Sequence, residues 1–304
     1  MENMHIVNIE IEAGKALIEI ALPEHQSMEQ DGLWRLLLYD ERDLPVFCCS
    51  RPIGEEEPCI IQLLHPKLWE GPKAPYLYRL ERYFVGSNLE MQLCERRFIA
   101  LYSLKKIPPK GWFLNGQEFE AKGVYYDCVG NVSDAIRQGF EDSLNSELEQ
   151  LVKMGANMLV LGAGEGLTGQ EYLYLQECCE RKGLILWTEE KDDDCVTISD
   201  LFHNPGLPTK IYYSYKAKWS KEPFVYICDE SFMKQADGSY SIMVYSNRKR
   251  IVLLVNGTIF AIQEDGPEFC FQDMSIKGFP VCLSAEADEC SMSVIFVDSF
   301  PRKG

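Results

Sequence analysis

Histidine is scarce in this sequence, with four residues among 304, and the four are widely separated. None of the twelve cysteines belongs to a Cys-x-x-Cys pair. Zinc sites in proteins usually need closely spaced cysteine or histidine ligands. We therefore expect no metal site and no cofactor. Most of the cysteines lie inside apolar or helical patterns, which is typical of thiols that are buried as small core residues.

Long apolar runs are also missing, and the one compact basic run, Arg248-Lys249-Arg250, is expected to be a solvated turn. No stretch approaches the roughly 20 apolar residues of a membrane span, and the first residues lack the features of a signal peptide. The net charge of −17 opposes binding to nucleic acid or to an anionic membrane, since both need clustered Lys and Arg. The sequence therefore predicts a soluble cytoplasmic protein that binds neither.

The sequence does contain enough apolar material for two or three domain cores, at 46% hydrophobic and 12% aromatic residues. Residues 5–107 consist of short β-type runs separated by turn residues, which is typical of an immunoglobulin-like sandwich. The region after residue 201 has the same pattern. The predicted strands are 6–11, 16–22, 34–39, 60–64 and 76–84 in the first region, and 223–227, 241–246, 251–255, 269–271, 281–284 and 293–297 in the second.

Between these two regions the pattern changes to alternating strands and helices. Asn115-Gly116 predicts a two-residue hairpin turn. The segments that follow predict the order β-α-β-α-β, with a first helix that begins at a capping box of Ser146 and Glu149 and ends at Gly155. The other predicted elements are strands 121–126, 156–162 and 184–188, and a helix 170–182 that leads into Gly183.

Several segments of the sequence carry a resemblance to a known family. They are Leu-Asn-Gly-Gln-Glu-Phe-Glu-Ala-Lys-Gly-Val at 114–124, Leu-Glu-Gln-Leu-Val-Lys-Met-Gly-Ala-Asn at 148–157, Cys-Glu-Arg-Lys-Gly-Leu-Ile-Leu-Trp-Thr-Glu at 179–189, and the Trp69 and Tyr78 region at 65–80. With them the chain resembles glycoside hydrolase family 2, the group that includes β-galactosidases and β-glucuronidases. In that family the domain order is a jelly-roll domain, then an immunoglobulin-like sandwich, then a catalytic (β/α)8 barrel.

The resemblance implies a fold in which the barrel is truncated. A complete (β/α)8 barrel needs about 200 to 250 residues, whereas about 90 lie between Trp112 and Phe202, enough for three strands. No segment resembles the jelly-roll domain. We therefore expect a mainly β protein with a small α/β segment. Its predicted domains are an immunoglobulin-like sandwich at 1–107, a barrel remnant at 108–200 and a C-terminal immunoglobulin-like sandwich at 201–304.

The missing strands decide the expected chemistry. The family's two catalytic glutamates lie on the fourth and seventh barrel strands, so neither can be assigned to a residue of this chain. Val160 also replaces an arginine of the family's substrate site. Glu189 and Glu190 are the remaining catalytic candidates, but neighbouring side chains of an extended segment point to opposite faces. We expect a non-catalytic protein with a carbohydrate-associated binding or accessory role, and the alternative is a residual β-glycosidase.

Aromatic residues supply the candidates for carbohydrate binding. Trp187, Tyr212, Tyr213 and Trp219 could stack against sugar rings. The alternative role, which we favour for the run after residue 210, is packing the C-terminal sandwich against the α/β segment, because large aromatic residues dominate interface burial. The open strand edges of a three-stranded remnant also need a cover, and a homodimer is one way to provide it.

Gly164, Gly166 and Gly169 match the Gly-x-Gly-x-x-Gly pattern of dinucleotide-binding proteins, between a predicted strand and a predicted helix. Glu189, about 25 residues after the motif, would be the ribose-binding residue of such a site. No further strand and helix alternation follows to complete a doubly wound sheet. We therefore favour a glycine-rich loop over a nucleotide site.

Overall fold

The computed structural model describes residues 4–12, 14–23, 32–55, 57–87, 89–127, 141–162, 167–190, 195–203 and 206–297, with only the backbone at 141–143. The described residues are mainly β, as the sequence predicts. No helix among them is long and apolar enough to cross a membrane.

The N-terminal region folds into two antiparallel sheets. Its strands are β1 (His5–Glu12), β2 (Lys15–Ala21), β3 (Leu33–Tyr39), β4 (Pro45–Pro52), β5 (Cys59–Leu64), β6 (Tyr78–Val85) and β7 (Met91–Ile99). One sheet has the order β1-β2-β5 and the other the order β4-β3-β6-β7. Every second residue of β2 and β3 is buried, so each sheet turns one face inward.

The two sheets share a single hydrophobic core and so form a β-sandwich, which confirms the prediction at that level. Alternating apolar residues of both sheets lie in this core because burial of one sheet face requires an apolar residue at every second position. The fully buried members include Ile18, Ile20, Leu36, Leu38, Ile61 and Leu80.

Three short strands follow the sandwich: β8 (Leu104–Ile107), β9 (Gly111–Leu114) and β10 (Gln117–Phe119), in the order β10-β9-β8. Asn115 and Gly116 join β9 to β10 with φ angles of 51° and 78°. Positive φ at both central residues is the geometry of the favoured two-residue hairpin turn. The predicted turn is therefore confirmed.

The alternating segment contains β11 (Gly123–Tyr125), α1 (Glu141–Met154), β12 (Met158–Gly162), α2 (Gly169–Lys182) and β13 (Ile185–Glu189). These strands form a sheet of order β11-β12-β13, in which β11 and β12 are parallel. The predicted order β-α-β-α-β is confirmed. The predicted start of the first helix is wrong, because α1 begins at Glu141 and Ser146 lies inside it. The residues before 141, which would show the true cap, lie outside the described part.

Both helices end at a glycine, as the sequence predicts. Gly155 and Gly183 have φ angles of 100° and 85°, which a residue with a side chain disfavours. The glycine N–H and the next N–H donate back into the last turn, which is the Schellman motif. The bonds are Gly155 to the carbonyl of Val152 (2.9 Å), Ala156 to Leu151 (3.0 Å), Gly183 to Glu180 (3.2 Å) and Leu184 to Cys179 (2.8 Å).

The C-terminal region begins with α3 (Ile198–Leu201), β14 (Phe202–His203), β15 (Leu207–Pro208) and α4 (Lys210–Trp219). Seven strands follow: β16 (Val225–Lys234), β17 (Tyr240–Ser246), β18 (Arg250–Val255), β19 (Thr258–Glu264), β20 (Glu268–Met274), β21 (Val281–Ala287) and β22 (Cys290–Phe296). Sheets of order β16-β17-β20 and β19-β18-β21-β22 enclose one apolar core. This is the second predicted β-sandwich.

The contacts divide the chain into two compact units. The first unit comprises residues 1–121 and 167–186, and the second comprises 122–166 and 187–304. The α/β segment is therefore divided between the two units. Helix α2 belongs to the unit of the N-terminal sandwich, whereas β11, α1 and β12 belong to the unit of the C-terminal sandwich. Local patterning does not reveal this division, because α2 has the same type of amphipathic sequence as α1.

Candidate functional site

Trp69 attaches α2 within the first unit. The indole is 0% exposed, its Nε1–H donates to the carbonyl of Glu180 at 2.9 Å, and its ring centroid lies 4.8 Å from that of Tyr102. The Trp69 N–H donates to the Leu101 carbonyl at 2.9 Å. Trp69, which lies in one of the segments that carry the family resemblance, is thus a packing residue of the core.

The side chain of Glu180 is a buried carboxyl group that the sequence did not reveal. The residue is 4% exposed. Burial raises the pKa of Glu180 to about 7, against the opposing effect of hydrogen bonds from the side-chain amide of Gln176 (2.8 Å) and the N–H of Ala100 (3.3 Å). Both partners belong to the packing of α2, so the carboxyl group is enclosed by protein. No local signal distinguishes it from the half-buried Glu177 of the same helix, which pairs with Arg181.

In the second unit, the carboxyl ends of β11 and β12 are the place where a parallel sheet normally binds ligands. The N–H of Tyr125 donates to the Val196 carbonyl at 2.9 Å, and Tyr125 forms a parallel bridge with Thr197. The chain that returns after residue 194 therefore pairs with β11. This pairing covers the edge of β11 from within the same chain.

Two carboxylates at this end of the sheet cap helix α3. An Asp127 oxygen accepts the N–H of Ser199 at 3.1 Å. Asp200 accepts the N–H of Thr197 at 3.0 Å and its hydroxyl at 2.8 Å, while the Thr197 hydroxyl oxygen accepts the Asp200 N–H at 3.2 Å. Carboxylates stabilise a helix N-terminus through its exposed N–H groups and dipole. The Thr-x-x-Asp spacing is a signal in the sequence that could have predicted the start of α3.

Glu189 and Glu190, the two catalytic candidates, are both exposed at the end of β13. Adjacent side chains of an extended strand point to opposite faces, so these two carboxylates do not converge on one substrate atom. Paired acid and nucleophile carboxyl groups of a retaining glycosidase lie about 5 to 5.5 Å apart on either side of the scissile bond. The geometry therefore does not favour a catalytic pair.

Three of the four aromatic candidates lie on α4, which packs against α1 and β17. Tyr212 is 4% exposed, and its hydroxyl donates to the Gln150 carbonyl at 3.1 Å. Burial raises the pKa of Tyr212. Tyr213 stacks on Tyr226 with ring centroids 3.4 Å apart and planes inclined by 6°. These contacts favour a packing role for both tyrosines.

Trp219 ends α4 and is half-buried, with its ring edge-on to Tyr215 at 4.8 Å between centroids. Its carbonyl accepts a hydrogen bond from the Lys122 ammonium at 3.2 Å. Trp187, the fourth candidate, is half-buried on β13. Of the four aromatic residues, Trp187 is the one on the sheet β11-β12-β13, next to the exposed carboxylates.

Two glycines of the nucleotide-binding pattern, Gly164 and Gly166, lie outside the described residues. Gly169 is the first residue of α2, and Thr168 is its N-cap. The carboxylate of Glu171 accepts the Thr168 N–H and hydroxyl, both at 2.8 Å. A negative charge already occupies the N-terminus of the helix, where a pyrophosphate would have to bind. This capping box favours the glycine-rich loop over a nucleotide site.

Comparison with known proteins separates sequence from fold. No protein-family model matches the sequence, and no curated protein matches it either. Solved structures do match it. An FMN-binding β-glucuronidase from Facaelibacterium prausnitzii L2-6 superposes with a TM-score of 0.72 at 13% identity, over 98% of this chain and 74% of that one.

Other structures of the same kind match over almost the whole chain. A putative β-galactosidase from Bacteroides fragilis gives a TM-score of 0.67 at 12% identity, over 96% of this chain and 72% of that one. A glycosyl hydrolase family 2 member from Bacteroides cellulosilyticus DSM 14838 gives 0.62 at 12% identity, over 96% and 62%. The chain shares its fold with family 2 glycosidases. At these identities the likeness establishes this family 2 glycosidase fold and nothing about the reaction.

Proposed function

We propose that this protein is a non-catalytic relative of the family 2 glycoside hydrolases, with a carbohydrate-associated binding or accessory role in carbohydrate metabolism. The observation that supports this most directly is the pairing of β11 with Val196 and Thr197. In a closed barrel the first strand pairs with the last one. Here residues 196 and 197, which follow β13 in the chain, take the place of a last strand.

The pairing of β11 with residues 196 and 197 is the reason why the proposed protein has no glycosidase centre. The family's catalytic glutamates belong to the fourth and seventh strands, and the chain passes from β13 to its closing segment without room for either. Asp127 and Asp200 serve as helix caps, and Glu189 and Glu190 are sequence neighbours on opposite faces. These assignments support the proposal, because a retaining glycosidase needs an acid and a nucleophile that face one bond.

The proposed domains are an immunoglobulin-like sandwich at 1–107, a barrel remnant at 108–200 and a second immunoglobulin-like sandwich at 201–304. The proposed carbohydrate site is the carboxyl end of the sheet, where Trp187 offers an aromatic face and Glu189 an acceptor for sugar hydroxyls. We also propose that the protein is cytoplasmic, and that a homodimer covers strand edges that the chain itself leaves open.

The test of the non-catalytic role is hydrolysis of nitrophenyl β-galactoside, β-glucuronide, β-mannoside and β-glucoside by the purified protein. We expect no release of nitrophenol above that in buffer. The control is the double variant Glu189→Gln, Glu190→Gln. Turnover by the wild type that disappears in the double variant would refute the proposal and establish a residual β-glycosidase.

The test of carbohydrate binding is a calorimetric titration of the wild type with the same four sugars as methyl glycosides and as short oligosaccharides. We expect binding of at least one ligand, and loss of that binding in Trp187→Ala. The matched control is Trp112→Ala on β9, another half-buried tryptophan, which should bind as the wild type does. Equal binding by both variants would place the sugar elsewhere.

A further inference from the structure

Cys49 and Cys59 lie side by side where the two sheets of the N-terminal sandwich meet. β4 is the edge strand of one sheet and β5 is the edge strand of the other. Cys49 is half-buried and packs against the sandwich core, and Cys59, the first residue of β5, is 1% exposed. Their Sγ atoms are 2.8 Å apart. The pair therefore connects two strands that share no backbone ladder.

We propose that Cys49 and Cys59 are a redox-sensitive thiol pair, which a peroxide converts into a disulfide that joins β4 to β5. The two sulfur atoms need to approach by about 0.8 Å to reach the ~2.0 Å of a covalent bond, a shift that side-chain rotation can provide. The inference is independent of the proposed carbohydrate role, because both cysteines lie in the N-terminal sandwich.

The surroundings of the pair favour a thiolate at Cys59. The hydrogen bond from Cys49 lowers the pKa of Cys59, burial opposes this, and the guanidinium of Arg51 lowers the pKa further. Arg51 is held in place by Glu55, at 2.8 Å between guanidinium nitrogen and carboxylate oxygen. The same sulfur contact raises the pKa of Cys49. Since the thiolate is the reactive form of cysteine, the Arg51 guanidinium beside the pair favours its oxidation.

The reaction proceeds in two balanced steps. The thiolate of one cysteine of the pair attacks one peroxide oxygen, the O–O bond breaks, and the released hydroxide takes up a proton, so that a sulfenic acid and one water form. The sulfur of the other cysteine then attacks the sulfenic sulfur, loses its proton, and displaces the sulfenic hydroxyl group as a second water. Overall, two thiols and one hydrogen peroxide give one disulfide and two waters. A cellular thiol reverses the change by disulfide exchange.

Cys48 provides a matched control beside the pair. It precedes Cys49 on β4, so its side chain points to the opposite face of the strand, and it is exposed. A reaction that depended on exposure alone would modify Cys48 first. A reaction that depends on the sulfur contact joins Cys49 to Cys59 and leaves Cys48 outside the bond.

The experiment treats the full chain with hydrogen peroxide, blocks the remaining thiols, and digests without reduction with a protease that cleaves after glutamate. Cleavage after residues 55–57 separates the peptide with Cys48 and Cys49 from the peptide with Cys59. We expect a linked pair, lighter by two hydrogens than the sum of the two peptides, which dithiothreitol separates. Oxidation should also raise the Tm by on the order of 5 °C, because the bond constrains the unfolded chain.

Two variants decide the assignment. Cys48→Ser should still form the link and show the rise in Tm, whereas Cys49→Ser should show neither. Circular dichroism under reducing conditions checks that each variant is folded. The proposal is overturned if Cys49→Ser still forms the link, or if the folded wild type yields no linked peptide when peroxide has already oxidised Cys48.

Discussion

A single methyl group at Gly183 should destabilise the first unit, because this glycine is required for two separate reasons. Its φ of 85° lies in the left-handed region. A Cβ at this position would also lie 2.5 Å from the Pro72 Cα and 2.7 Å from the Pro72 nitrogen. These are backbone atoms, which cannot rotate away as the end of a side chain can. We therefore predict that Gly183→Ala weakens the packing of the end of α2 on the turn at Gly71–Lys73.

The two effects have separable magnitudes. Left-handed backbone costs alanine about 1–2 kcal/mol relative to glycine. Forcing a methyl group into closely packed backbone costs about 1–3 kcal/mol more. The free energy of unfolding of Gly183→Ala should thus fall by about 2–5 kcal/mol, which lowers the Tm by on the order of 10 °C in a unit of this size.

The assay is urea unfolding followed by far-ultraviolet circular dichroism, with calorimetry for the Tm. Two other glycines of the same unit separate the causes. Gly116→Ala has the positive φ of 78° but open space around its Cβ, so it should cost about 1–2 kcal/mol. Gly169→Ala has neither constraint and should gain up to about 0.5–1 kcal/mol. Equal losses in Gly183→Ala and Gly116→Ala would refute the close approach to Pro72.

Two further predictions concern residues that hold α2. Burial keeps the pKa of Glu180 at about 7 in the folded state, against 4.5 in the unfolded one. Between these two pH values the folded state holds a proton that the unfolded state has released. The free energy of unfolding should therefore fall as the pH rises from about 4.5 to above 7. The loss of stability should be on the order of 3 kcal/mol and should vanish in Glu180→Gln. Denaturant midpoints of both proteins at pH 5 and pH 8 measure it. A pH dependence that the substitution leaves unchanged would contradict the role of Glu180. Trp69→Phe removes the Nε1 hydrogen bond and leaves a cavity, so the free energy of unfolding should fall by about 2–4 kcal/mol. Trp112→Phe, at a half-buried position, should cost less than about 1 kcal/mol. Similar losses of unfolding free energy in the two tryptophan variants would argue against the packing role of Trp69.

Much of the fold could be predicted because its signals are local. Alternating burial in β2 and β3 follows from alternating apolar residues, and the turn at Asn115 and Gly116 follows from their tolerance of positive φ. Gly155 and Gly183 ended their helices as predicted for the same reason. The start of α1 was the error, since a Ser-x-x-Glu spacing also occurs inside helices, where the backbone N–H groups are already bonded.

The candidate site could be predicted less well, because it depends on burial and on contacts between distant residues. Tyr212 and Trp187 are both aromatic residues in apolar surroundings, and only packing distinguishes the enclosed ring from the half-exposed one. Glu180 and Glu177 lie on the same helix, yet one carboxyl group is buried beside Ala100 and the other pairs with Arg181 at the surface. A linear sequence carries no signal for such a difference.

Local signals were therefore enough to predict the two β-rich regions, the alternating segment between them, and the ends of its helices, because backbone preference and apolar periodicity act over a few residues. Tertiary packing, in contrast, set the pairing of Val196 and Thr197 with β11, the place of α2 with the N-terminal sandwich, and the contact between Cys49 and Cys59. These features require segments far apart in the chain or in different sheets to come together. Their free energy comes from burying shared surface, which no single segment possesses alone.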